Sequence, residues 1–185
     1  SGHSYTGVHA GSLSGTITGD TSVELAFGTN YYLDLNGYLD GAYSGDIRGY
    51  GMVDIYINGT LRESGGGDFY MTFPYGTTYE INNIQTVPGH RYIGVYSGSL
   101  SGTITENTIV ELKFGTTSEV TFDPNGGDVS KDNKTVICGE MYGSMPTPTR
   151  ANYSFDGWYT ERNGGIMVIE LSVVTETTDH TLYAH

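Results

Sequence analysis

Residues 92–117 read YIGVYSGSLSGTITENTIVELKFGTT, and residues 5–30 read YTGVHAGSLSGTITGDTSVELAFGTN. The two stretches agree at about 18 of roughly 26 positions without a gap, at a constant offset of about 87 residues. Filler rich in Gly, Ser and Thr would not keep register through the VEL-x-FGT that follows, so the pair is a repeated structural module. Its apolar period is two. Val110, Leu112 and Phe114 share one face of a strand, as do Val23, Leu25 and Phe27. Glu111 and Lys113 (Glu24 and Ala26 in the first copy) then face water. Leu100 and Ile104 also fall on one face, and TENT (105–108) reads as a hairpin turn between two strands.

The stretches between the copies keep the same grammar. YYLDLNGYLDG (31–41) and TTYEINNIQTV (77–87) read as strand material, with Tyr79 and Ile81 on one face and Pro88-Gly89 closing the second. MVDIYINGTL (52–61) is a strand running into Asn58-Gly59, the strongest short hairpin signal. No capped 3.6-residue apolar period occurs here. The module spans 30–117, and residues 1–29 are the tail of a preceding copy, a strand pair that either ends that copy or packs onto the next module. The fold class is mainly β, in tandem small modules.

Composition bounds the function. With 37% hydrophobic residues, 16 Tyr and 28 Gly, the chain is too aromatic for a disordered one. Eight basic against 21 acidic residues leave a net charge of -13. Such a surface repels phosphate backbones and anionic membranes, which excludes nucleic acid as a partner. Cys138 is the one cysteine, so no intrachain disulfide forms, and its apolar neighbours in TVICG make it a small buried hydrophobe. No apolar run reaches membrane-spanning length and no signal peptide is seen, as expected of either a cytosolic protein or a mature piece of a longer one.

From Glu119 the grammar changes. VTF is a strand, Asp123-Pro-Asn-Gly-Gly a turn and KTVIC a second strand; GEMYGSM (139–145) could form one helical turn before Pro146 and Pro148; TLYAH closes the chain as a strand. SFDGWYT supplies Phe155 and Trp158 as core anchors, beside Leu112 and Phe114 of the module, and truncating Phe155 to Ala is expected to cost about 3–5 kcal/mol. The phrases VTFDPNGG, KTV-x-x-GEMYGSMPTPTR, YSFDGWYT and HTLYAH resemble the Listeria–Bacteroides repeat, or internalin B-repeat, over 119–185, within a C-terminal module read as 118–185. The resemblance implies a β-grasp-like module with at most one short helix, in tandem arrays on secreted or cell-wall-attached proteins of Gram-positive bacteria, and it brings no catalytic residues. The family pattern ends with a Trp that would follow His185, so the resemblance carries the expectation that the chain is a piece of a longer one. The 87-residue module is similar, more loosely, to mucin-binding-type surface repeats.

Chemistry is sparse. His3, His9, His90, His180 and His185 are scattered without metal-ligand spacing, and GSLSG places Leu13 and Leu100 where a nucleophile elbow needs Ser. Most carboxylates sit in turns or alternate outward on strands, so a glycosidase pair is not indicated. Lys113, replaced by Ala26 in the other copy, is not the conserved half of a Lys–Asn crosslink. Asp34, Asn36 and Asp40 in DLNGYLDG are hard oxygen ligands that suit calcium, but the EF-hand template fails and a hairpin turn is the better reading. Tyr38, Tyr43, Tyr50, Tyr70 and Tyr75 lie in Gly-rich segments read as loops, where exposed rings supply rigid amphipathic contact area, although each could instead cover a small loop core. The expectation is a non-enzymatic stalk or adhesion module on a cell surface, without cofactors, whose partners are a protein or glycan on a host or matrix surface and the neighbouring repeats. The alternative is a carbohydrate-binding module using these tyrosines.

Overall fold

The computed structural model describes residues 2–10 and 24–185, with side chains from residue 28 onward. Residues 11–23, which hold most of the first-copy phrase, and the side chains of Val23, Leu25 and Phe27 lie outside the described residues. Among the described residues the regular structure is all strand. In chain order the strands are β1 (Gly2–Ala10), β2 (Glu24–Leu39), β3 (Ala42–Gly45), β4 (Gly51–Ile57), β5 (Thr60–Gly65), β6 (Phe69–Pro74) and β7 (Thr77–Thr86). There follow β8 (His90–Ser97), β9 (Ser101–Ile104), β10 (Thr108–Asp123), β11 (Asn133–Ile137), β12 (Trp158–Tyr159), β13 (Met167–Val168) and β14 (His180–Ala184).

The chain forms two compact units: Ser1–Gly37, Ser44–Gln85 and Val95–Leu112 make the first, and Tyr38–Tyr43, Thr86–Gly94 and Lys113–His185 the second. The repeated sequence makes the same strand pair twice. β1 runs antiparallel to β2, from Gly2 opposite Asn30 to Ala10 opposite Glu24, and β8 pairs with β10. In both copies the second strand runs on past the repeat. β2 goes on to pair antiparallel with β6, Tyr31 opposite Phe73 and Leu35 opposite Phe69, while β10 goes on to pair with β11 and β14. β10 thus runs unbroken from the end of the repeat into the C-terminal segment.

In the first unit, β4 and β5 form the hairpin that Asn58-Gly59 predicts. Both residues have positive φ (48° and 76°), the left-handed pair of a type I′ turn. Val110, Leu112, Ile104, Leu33 and Ile55 are fully or almost fully buried. In β7, Thr77, Tyr79 and Ile81 are buried on alternate positions, and Asn83 (φ 48°) then breaks the phase, which leaves Ile84 half-buried. The TENT stretch differs from its reading. β9 does not pair with β10 but with β7 in a four-stranded sheet of order β5-β4-β7-β9, so residues 105–107 carry the chain between sheets. The glycines of SGSLSGTIT explain this path. Gly98 turns the chain at φ 80°, and a Cβ there would run into the Ile109 carbonyl. Gly102 lies opposite Tyr79, whose ring covers the space a side chain would need.

In the second unit β10 pairs antiparallel with β11 and parallel with β14; β14 pairs antiparallel with β12, and β12 with β13, which is the edge. A parallel pair needs a long connection, and residues 124–179, which include β11, supply it. No helical turn forms at GEMYGSM. Gly139 and Gly143 have positive φ, and the amides of Tyr142 and Gly143 donate to the carbonyls of Ser172 and Glu170 across the chain. Val120, Phe122, Val136, Trp158, Val174 and Leu182 form the core. Trp158 lies 4.9 Å from the Phe122 ring and its indole N–H donates to the Pro146 carbonyl at 2.8 Å. Phe155 departs from its reading as a core anchor. It is 37% exposed and meets Trp158 only edge-on, at 5.5 Å, because it precedes β12 and covers the indole from the solvent side.

Candidate functional site

Two sets of side chains carry the chemistry read from the sequence, and a third, a groove, emerges from the structure alone. In the first unit, alternation along β2 and β6 buries Leu33, Leu35, Phe69 and Phe73 and turns the other face outward. There Tyr70, 59% exposed, lies 5.2 Å from Tyr32, at an interplanar angle of 31°, with Asp34 directly opposite Tyr70 in the pairing. Tyr75, in the β6–β7 turn, is exposed and 6.5 Å from Tyr31. Tyr70 is therefore a strand residue, not a loop residue, and Tyr32 is the partner that the sequence reading missed. Its signal was available: it sits two positions before Asp34 on the polar phase of β2. Tyr50 corrects its reading as a binding residue. It is 5% exposed, its hydroxyl donates to the Asp46 carbonyl at 2.8 Å, and its ring lies against Gly37, leaving no room there for a Cβ.

In the second unit, Tyr38 and Tyr43 meet edge-to-face at 5.5 Å across the hairpin turn Asp40-Gly41, whose φ values are 52° and 81°. Both flank the turn as strand residues. The Asp40 carboxylate is held by Thr116, accepting its backbone N–H at 2.7 Å and its hydroxyl at 2.7 Å. Of the calcium candidates Asp34, Asn36 and Asp40, the Asp40 carboxylate is thus engaged by the protein's own donors, and Asp34 stands opposite Tyr70 on β2. Among the described residues no group of three or more His, Cys, Asp or Glu side chains is placed to hold a metal.

Cys138 is buried, with its thiol 3.8 Å from the Thr175 carbonyl. Burial first, and then the neighbouring Asp40 carboxylate, push that thiol above its ordinary value, which makes it inert rather than nucleophilic. Asp54 accepts from Ser64 and Asn83, and these hydrogen bonds hold its carboxyl below the usual range. Lys113 pairs with Glu140 at 3.7 Å.

The third set is a groove of about 420 Å³ in the second unit, between the Asp123–Gly127 turn and the crossover. Pro124, Pro148, Tyr153, Phe155 and His185 line it with Arg150. The Arg150 guanidinium stacks 4.2 Å over the Tyr153 ring and donates to the Asn125 carbonyl at 2.9 Å, while His185 stacks on Tyr159 at 4.0 Å. The mixture of Pro, Arg and aromatic residues in PTPTRANYSF was the sequence signal for this loop surface. The groove offers aromatic faces and one cation already engaged by its own backbone.

These features define an all-β chain of two sheet-bearing units whose exposed chemistry is aromatic contact surface. Residues 119–185 match the family model of the Listeria-Bacteroides repeat domain. A comparison with curated proteins finds no match to the chain. The matched repeat is of a kind found in extracellular surface proteins, and its first strand is the last part of β10, residues 119–123.

Proposed function

We propose that this chain is a non-enzymatic repeat region of an extracellular, cell-wall-attached or secreted protein of a Gram-positive bacterium, serving as a stalk and adhesion module. The observation that carries the reading is the match over 119–185, since that repeat is typical of extracellular surface proteins. The disposition of the carboxylates supports it. Asp40 is spent on Thr116, Asp54 on Ser64 and Asn83, and Asp123 on Arg162 and the Asn125 amide. Carboxylates engaged in this way act as structural groups that hold turns and strands together. The net charge of -13 favours protein partners with basic surfaces and disfavours nucleic acid. Antibodies against the chain should label intact cells of the bacterium that makes it, and beads coated with the chain should adhere to host cells or matrix. Label only after permeabilisation would overturn the surface assignment.

A carbohydrate-binding role is the second reading, favoured by the Tyr32–Tyr70 pair with Asp34 on the same outward face of the β2–β6 sheet. Aromatic rings beside hydrogen-bonding groups suit the apolar face and hydroxyls of a sugar. Glycan-array binding lost in Tyr70→Ala and Tyr32→Ala would support it, and a silent array would leave the stalk reading alone.

A further inference from the structure

The stretch Ile166–Val174, IMVIELSVV, holds seven aliphatic or Met side chains in nine residues. Only Val168 and Val174 are buried by the fold. Ile166 (74%), Leu171 (71%), Val173 (56%), Ile169 (52%) and Met167 (44%) are exposed, and Met141, bridged to Val173, adds another at 58%. Leu171 sits in the turn that the Ser172 amide closes onto the Ile169 carbonyl, a position usually taken by Gly, Asn, Asp or Ser. Met167 belongs to β13, the sheet edge. Scattered exposed apolar residues need no explanation, but a contiguous set of this kind marks a surface that another molecule covers.

Charge identifies what covers it. Residues 163–185 contain Glu170, Glu176 and Asp179 and no Lys or Arg. Nearby cations are occupied: Lys113 pairs with Glu140, Arg162 with Asp123, and the Lys134 ammonium donates to the carbonyls of Tyr142 and Ser144. The charged residues within the stretch and just after it in the chain, Glu170, Glu176 and Asp179, are acidic, and a second copy of a chain carrying -13 would meet like charge, as would an anionic bilayer. We propose that the surface formed by Met141 and residues 166–173 docks a partner protein through an extended segment whose apolar side chains alternate with Lys or Arg. The sheet edge at β13 suits strand addition, in which main-chain bonds hold the segment and alternate side chains meet the apolar set. This deepens the adhesion reading by naming the contact surface. A chain displayed on cells but lacking this binding would keep the stalk role and lose this assignment.

The test uses the whole chain, isotope-labelled for NMR, with a short synthetic peptide alternating Leu and Lys as probe and its Leu/Glu counterpart as control. Expected are amide shifts confined to 139–143 and 164–175 with the Leu/Lys peptide, weakening as salt rises. Affinity should fall about tenfold in a Leu171→Ser/Val173→Thr double variant and hold in Leu61→Ser, an exposed position on β5 of the first unit. Both changes are at exposed positions, and an unchanged amide spectrum elsewhere verifies the fold. No binding, shifts mapping to another surface, equal binding of the Leu/Glu peptide, or full affinity in the double variant would overturn the proposal. So would a dimer in light scattering that Leu171→Ser dissociates, or sedimentation of the chain with phosphatidylcholine vesicles.

Discussion

The Asp40 carboxylate accepts both the backbone N–H and the hydroxyl of Thr116, a residue 76 positions further along the chain. It thereby ties the β2–β3 turn to the middle of β10, and it does so from a left-handed backbone conformation, φ 52°, that Asp and Asn tolerate better than other side chains. Asp40→Ala removes both acceptors and leaves the part-buried Thr116 groups unanswered, at a cost of about 1–3 kcal/mol. Asp40→Asn keeps one acceptor oxygen and the same backbone preference and should lose less. Urea denaturation of the three proteins measures the order, and calcium should shift none of the midpoints.

Trp158 and Phe155 are neighbours with different roles. Trp158 is 2% exposed and bonded through its indole N–H, so Trp158→Ala should cost about 3–5 kcal/mol. Phe155 contributes an edge-on ring contact from a partly solvated position, and Phe155→Ala should cost about 1 kcal/mol. Thermal unfolding in which the two variants lose equal stability would refute this division.

Gly98 and Gly41 have nearly the same φ, 80° and 81°, but different surroundings. A Cβ on Gly98 meets the Ile109 backbone, which cannot swing aside, whereas one on Gly41 meets nothing within 4 Å. Gly41→Ala should cost about 1 kcal/mol for the left-handed conformation alone. Gly98→Ala adds the clash and should cost about 3 kcal/mol. Chemical denaturation of both variants isolates the steric part.

Burial, followed by the Asp40 charge, raises the Cys138 thiol. An acid whose folded-state value exceeds its unfolded one contributes stability that is full below the unfolded value, near 8.5 for a thiol, and is lost as pH rises above it. Stability should therefore decline from about pH 8.5 upward, and Cys138→Ala should flatten that part of the profile. Tyr79 and Tyr142, raised first by burial, act in the same direction at higher pH. Iodoacetamide should modify Cys138 slowly in the native protein and rapidly in urea.

Much of the local structure was legible because its causes are local. Asn58-Gly59 and Asp40-Gly41 impose left-handed turns wherever they stand, and period-two alternation at Val110, Leu112 and Phe114 marks a buried face whatever covers it. The repeat was read from identity, and the structure pairs strands alike in both copies. Partner choice was not legible. Nothing in TENT distinguishes a hairpin from a passage between sheets, since the difference lies in Tyr79 covering Gly102 from 23 residues away. Tyr50 resembles the exposed tyrosines in its Gly-rich surroundings, yet Gly37 provides the space that buries it.

The amino-acid sequence by itself determined the mainly β class, the Asn58-Gly59 and Asp40-Gly41 hairpins, the repeat and the likeness of residues 119–185 to a known repeat family, because propensity, periodicity and motif identity are properties of neighbouring residues. Tertiary structure alone decided which tyrosines face outward, that Asp40 answers Thr116, and that IMVIELSVV leaves five of its seven apolar side chains in water. Those outcomes depend on which strand lies beside which. That is settled by packing between residues distant in the chain, and no local pattern encodes it.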